Sequence, residues 1–159
     1  MAEPVIQSAA REDFHEIVRM IQDLAAHVDG RVSPKTTVEI LDEEGPFGKG
    51  RFKLLVAKND GNTIGFCLYT YTFSGWRGAT GLFIEDLYVD HAARGLGLGK
   101  KLLAAAAKAE RGNASFIKLE VKLSDPAAVA FYEKLGMTRF EGEGIMLLGG
   151  DAMPALADF

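Results

Sequence analysis

From Phe14 onward the apolar residues Ile17, Val18, Ile21, Leu24 and Ala25 recur three and four positions apart, which predicts an amphipathic helix. Val5 and Ile6, just before it, predict a short first strand. Lys53 to Lys58 and Thr63 to Thr72 predict two strands, joined at Asn59-Asp60-Gly61-Asn62, a hairpin turn signal. Between helix and hairpin, Gly30 to Gly50 holds no long periodic run. A short helix is expected near Thr37 to Asp42 and a loop around Gly45-Pro46. Ser74 to Gly81 reads as a turn carrying Trp76, Leu82 to Val89 as a strand, and Gly99 to about Arg111 as an alanine-rich helix. Phe116 to Val121 predicts another strand. Asp125-Pro126 opens a helix, with Asp as cap and Pro in the first turn, that runs to Leu135 and stops at Gly136. Met137 to Glu141 and Ile145 to Leu148 predict a final strand pair. The order implies one α/β domain over residues 1–159, with a mixed sheet whose crossovers begin only past mid-chain.

Composition narrows the function. The chain has 159 residues, 48% of them apolar, enough for a single domain with a sizeable core. A net charge of −4 argues against nucleic acid or a membrane surface as partner. No apolar run approaches the ~18 residues of a membrane span. Glu3 and Pro4 stand where a signal peptide would be basic and then apolar, so a cytoplasmic location is expected. Cys67 lies in an apolar run and reads as a small buried hydrophobe. No His/Cys cluster has metal-ligand spacing, so no metal is expected.

The chemistry concentrates in Arg94-Gly95-Leu96-Gly97-Leu98-Gly99-Lys100-Lys101, between the strand ending at Val89 and the helix that follows. Alternate glycines let backbone approach a ligand closely. A helix start leaves amide donors unpaired and attracts anions. Lysines in a first turn face the positive end of the helix dipole, a placement that a bound polyphosphate would reverse in sign. A P-loop would need glycine where Arg94 stands and a hydroxyl where Lys101 stands. A dinucleotide fingerprint would need glycine at Lys100. Both fail.

The spacing Arg94-x-x-Gly97-x-Gly99 resembles the coenzyme A signature of the GNAT superfamily of N-acetyltransferases. Asp125-Pro126-Ala127-Ala128-Val129-Ala130-Phe131-Tyr132-Glu133-Lys134-Leu135-Gly136-Met137 resembles that family's later helix. Within the superfamily the chain is most similar to the diamine group, the spermidine/spermine and thialysine acetyltransferases. The supporting residues are Leu24-Ala25, Gly65-Phe66, Trp76 and Ile84 to Val89. The resemblance implies a GNAT acyl-CoA N-acyltransferase fold, a mixed, mostly antiparallel central sheet flanked by helices. It implies acetyl-CoA as cosubstrate, held by Leu87, Tyr88, Val89, Arg94, Gly95, Leu96, Gly97, Leu98, Gly99, Lys100, Asp125 and Tyr132. It implies a homodimer, and an acceptor amine held by His27, Trp76, Glu85 and Asp86.

Strand alternation places Phe83, Glu85, Leu87 and Val89 on one face and Leu82, Ile84, Asp86 and Tyr88 on the other. Acids inside an apolar strand are costly unless paired or facing a cleft. The resemblance implies that Glu85 faces the acceptor. An amine arrives mostly as ammonium, and Glu85 is suited to hold it and take its proton, through water. The same resemblance gives Tyr132 the role of protonating the departing thiolate. Trp76 offers an aromatic face for an ammonium group. No covalent nucleophile is apparent, so direct attack in a ternary complex is expected. The expected acceptor is a primary amine of a small diamine, polyamine or basic amino acid. Two alternatives stand beside this reading: acetylation of a protein N-terminus or an amine antibiotic, and a non-catalytic acyl-CoA sensor.

Overall fold

A computed structural model describes residues 3–29, 33–148 and 152–158. They fall into two compact units, Met1–Lys122 and Leu123–Phe159. The first unit holds β1 (Val5–Ser8), α1 (Phe14–Asp29), α2 (Val38–Glu44), β2 (Lys53–Asn59), β3 (Asn62–Ser74), β4 (Ala79–Val89), α3 (Leu98–Ala109) and β5 (Ile117–Leu119). The second holds α4 (Pro126–Lys134) and α5 (Ala152–Ala157). The part of the expected loop over 30–32 lies outside the described residues.

The sheet order is β1-β2-β3-β4-β5, antiparallel except for the parallel pair β4–β5. This is the expected mixed, mostly antiparallel sheet. One face is covered by α1 and α2. Phe14, Ile17, Met20 and Ile21 of α1 and Leu41 of α2 pack on Leu54, Val56, Phe66, Leu68 and Tyr88. Each such side chain removed from water contributes about 1.5–3 kcal/mol. The helical stripe read from the sequence is this buried face, with Val18 and Leu24 at its margin. The other face carries α3, whose Leu98, Leu102, Leu103 and Ala106 are buried.

The turns explain the register. Asp60 and Gly61 both have positive φ, 49° and 81°, as a two-residue hairpin turn requires, and Asn59 pairs with Asn62 across it. The β3–β4 turn is shorter than expected, spanning only 75–78, because Thr80 and Gly81 pair within the ladder. Gly81 serves the Phe116 ring rather than a turn: a Cβ there would meet that ring at 2.3 Å.

In the second unit Asp125 caps α4, its Oδ1 accepting from the Ala128 amide at 3.1 Å. Gly136, with φ 88°, follows the helix end. The expected strand pair over 137–141 and 145–148 does not form, and these residues have no ladder partner among the described residues. A two-stranded hairpin alone is marginal in water, and Gly142 takes a positive φ of 82° between the two segments.

Candidate active site

The site grows from an irregularity in the β3–β4 ladder. Gly65↔Val89, Phe66↔Tyr88, Cys67↔Leu87 and Leu68↔Asp86 pair in order, and the next rung is Tyr69↔Ile84. Glu85 is therefore an extra residue, a β-bulge. Directly opposed residues share a face. Phe66, Leu68 and Tyr88 belong to the core under α1, so Asp86 points to that side. Tyr69 and Ile84 lie on the α3 side, where the Tyr69 hydroxyl reaches Glu110 at the end of α3.

The bulge resets the alternation. Glu85 joins Asp86 on the α1 face, and Thr70 holds it there, its hydroxyl donating to Glu85 Oε1 at 3.3 Å. This corrects the expectation from strict period-2 alternation, which put the two acids on opposite faces and Glu85 with Leu87 and Val89. One inserted residue breaks that period without any signal in the apolar pattern.

The two carboxylates differ in surroundings. Glu85 is exposed. Asp86 is half-buried, and burial, with the neighbouring Glu85 charge second, pushes its carboxyl above the usual range. The Cys67 thiol across the ladder is fully buried, and burial and then Asp86 push it up to about 12. It is inert at neutral pH, as its apolar setting suggested.

The bulge also falls where β4 loses its parallel neighbour. The β4–β5 rungs are Leu82↔Ile117, Phe83↔Lys118 and Ile84↔Leu119. Beyond them, Glu85 to Val89 have no β5 rung among the described residues, so one side of this backbone is free to pair with an extended ligand. Leu87 and Val89 are half-buried there; Tyr88 is buried in the core, so only its backbone can serve.

The glycine loop follows directly. Gly95 and Gly97 have φ of 84° and 71°, and a Cβ on either would meet nothing within 4 Å. The glycines are required by conformation, and the space above them is open. Gly97 caps α3, whose first internal bond runs from the Lys101 amide to the Gly97 carbonyl at 3.0 Å. The amides of Leu98, Gly99 and Lys100 therefore have no carbonyl partner within the helix. Arg94 is fixed beside them: its Nε donates to the Val89 carbonyl at 3.1 Å, and its guanidinium lies 5.7 Å from the Tyr88 ring centre. Leu96 and Lys100 are exposed, Leu98 is buried, and Lys101 is engaged by Glu3 at 2.8 Å.

So the structure brings Glu85 through Lys100 into one continuous run of open strand, loop and helix start. It does not bring Trp76 there. Trp76 is fully exposed at the tip of the β3–β4 hairpin, six residues along β4 from Glu85 when counted from Ala79, or roughly 20 Å at ~3.4 Å per residue. His27 is exposed on the last turns of α1. Tyr132 lies on α4 in the second unit, half-buried, its ring edge-on to Phe131 at 5.0 Å. Asp125 is that helix's cap. Thr70 escaped the sequence reading because its partner was chosen by a bulge. Asp90, which opens the loop, escaped because its partner Arg19 lies 71 residues away.

The candidate site thus consists of two adjacent acids beside an open strand edge, followed by a glycine-capped helix start. The Acetyltransferase (GNAT) family model matches residues 15–137, and the chain belongs to that family. It is an acyltransferase, similar to named N-acetyltransferases. The thialysine N-epsilon-acetyltransferase of Sus scrofa is 31% identical over 171 aligned positions, covering 99% of both chains. An L-ornithine N5-acetyltransferase of Arabidopsis thaliana is 30% identical over 62% of this chain and 43% of its own. A Vibrio cholerae integron cassette protein superposes with a TM-score of 0.78 at 20% identity over the full length of both chains, a likeness of fold. No helix among the described residues is long and apolar enough to cross a membrane.

Proposed function

We propose that this chain transfers the acetyl group of acetyl-CoA to a primary amine of a small molecule, a diamine, polyamine or basic amino acid, by direct attack. The observation that carries the reading is the bulge, which sets Glu85 and Asp86 on one face at the point where β4 becomes free. The names of the thialysine, ornithine and spermidine/spermine relatives support a cationic acceptor.

The residues present fit the cosubstrate. The amides without a helix partner at the start of α3, the open space over Gly95 and Gly97, and Arg94 and Lys100 suit a pyrophosphate. The free edge of β4 over Leu87, Tyr88 and Val89 suits an amide-bearing arm. Acetyl-CoA supplies an activated thioester carbonyl. Glu85 and Asp86 attract the ammonium, and Glu85 takes its proton through water. Tyr132 returns a proton to the departing thiolate, and Asp125 sets the helix that carries it. His27 and Trp76 complete the acceptor side, Trp76 from a second copy of the chain. The exposed Tyr71, Phe73 and Trp76 of the hairpin support a homodimer. Residues 1–159 then form one catalytic domain, and the location is cytoplasmic.

The test is release of free thiol from acetyl-CoA against a panel of amines: spermine, a short diamine, ornithine, a lysine analogue and a peptide N-terminus. Turnover with the small basic amines is expected. Binding of acetyl-CoA with no turnover on any amine would replace this reading with a sensor.

A further inference from the structure

Arg19, on α1, is gripped from three sides. Its Nε donates to Glu16 Oε2 at 2.9 Å and its Nη1 to Asp23 Oδ2 at 2.6 Å, one turn to either side on the same helix. Its Nη2 reaches off the helix to both carboxylate oxygens of Asp90, at 3.0 and 3.1 Å. The first two contacts aim the guanidinium and the third uses it.

Asp90 is the residue at which β4 turns into the glycine loop. Its amide donates to the Ile64 carbonyl at 2.9 Å, closing the end of the β3–β4 ladder. Its carbonyl accepts from the Ala93 amide at 2.9 Å, forming the turn that delivers Arg94. Its carboxylate is only 25% exposed and lies four residues before Arg94, where the glycine loop begins. An uncompensated negative charge there would repel a polyphosphate, and partial burial would keep water from screening it.

We infer that Arg19 is a positioning residue for the anionic cosubstrate, offsetting part of the charge of Asp90 and tying the start of the glycine loop to α1. The inference rests on the reading of that loop as the acetyl-CoA site. Bracing and charge compensation make different demands. Loss of a brace is the same whichever partner is removed. Loss of compensation is not: Arg19→Gln leaves Asp90 charged beside the anion, whereas Asp90→Asn removes tie and charge together.

The experiment is calorimetric titration of the full chain with coenzyme A at low and high salt. It compares the wild type with Arg19→Gln, Asp90→Asn, the double variant and Arg19→Lys, with melting curves and steady-state constants for each. Arg19→Gln is expected to weaken coenzyme A binding roughly 3- to 10-fold at low salt. Asp90→Asn should cost less, and the double variant should return to the Asp90→Asn value. The deficit should shrink at high salt and appear in the KM for acetyl-CoA, with kcat and the acceptor KM held. Arg19→Lys keeps the charge but loses the fork of contacts, and it covers the case in which the Gln variant unfolds; its affinity should fall between wild type and Arg19→Gln. Equal losses in Arg19→Gln and Asp90→Asn, unchanged affinity in a folded Arg19→Gln, or a tenfold loss in Arg19→Lys overturns the inference while the loop assignment stands. A wild type that does not bind coenzyme A overturns both.

Discussion

Two buried or half-buried carboxylates stand on opposite faces of the same sheet, and they are served very differently. Glu110, at the end of α3, is 6% exposed. Its Oε1 accepts from the Tyr69 hydroxyl at 2.9 Å, and its Oε2 from the Tyr71 hydroxyl at 2.5 Å and the Asn113 amide at 3.3 Å. Burial pushes its carboxyl up, and the donors of Tyr71, Tyr69 and Asn113 more than reverse this, leaving it below the usual range. Asp86, in the bulge, has burial acting the same way, but its charged neighbour is the acid Glu85, and its carboxyl ends above the usual range. The first acid is fully partnered and anchors a helix to a strand. The second is held in an unfavourable setting by the fold around it, which supports the cation-binding role proposed for it.

The contrast breaks most visibly in activity. Glu85→Gln keeps the size and removes the base, so turnover is expected to fall by about 10²–10⁴. Its melting temperature should barely move, because Glu85 is exposed and has one long bond to Thr70. Thiol-release kinetics alongside a melting curve would measure both. A turnover near wild type would put the base elsewhere.

Tyr132 should group with Glu85. Tyr132→Phe removes one hydroxyl and keeps the ring against Phe131. A loss of about 10² or more in kcat, with the KM values nearly constant, is expected for a general acid. An unchanged kcat would leave it a packing residue.

Glu110→Ala should show the reverse pattern. Stranding the buried Tyr69 hydroxyl under α3 costs about 1–3 kcal/mol, or roughly 3–10 °C in melting temperature. Turnover per folded molecule should hold, and a selective loss of kcat in a stable variant would give Glu110 a catalytic part.

The smallest effect is the sharpest in sign. A carboxyl raised in the fold favours its protonated form, so at neutral pH Asp86 opposes folding, and the cost is relieved as pH falls through its folded value. Asp86→Asn should therefore melt slightly higher than wild type at pH 7, with the gain vanishing near pH ~4. Glu110, lowered in the fold, stabilises above the usual Glu range and loses that contribution on acidification. The advantage of wild type over Glu110→Ala should accordingly shrink as pH falls. Parallel melts of the two variants from pH 7 down to about pH 3 would show the slopes, and equal slopes would erase the distinction between the two sites.

Much of this site was legible in the chain. The spacing of Arg94, Gly97 and Gly99 after an apolar strand, and the Asp125-Pro126 start of the later helix, are local signals with local causes. Gly97 needs its left-handed backbone whatever surrounds it, and Asp125 can cap only the helix it begins. The α1 stripe and the Asp60-Gly61 turn belong to the same class. Their physics is contained within a few neighbouring residues.

The tertiary structure decided what depends on partners far along the chain. The bulge at Glu85 arises from how β4 is matched to β3, and it alone turns two acids expected on opposite faces into a pair. Thr70 became the holder of Glu85, Gly81 became the berth of the Phe116 ring, and Arg19 found Asp90 only through the ladder and the α1 packing. The 137–148 segment carries Met137, Phe140 and the apolar run Ile145 to Leu148, yet apolar residues alone do not supply a partner strand. Residue type and spacing therefore determined where the glycine loop takes its left-handed turns and where the helices start. Register, set by pairings dozens of residues apart, decided which charges meet there.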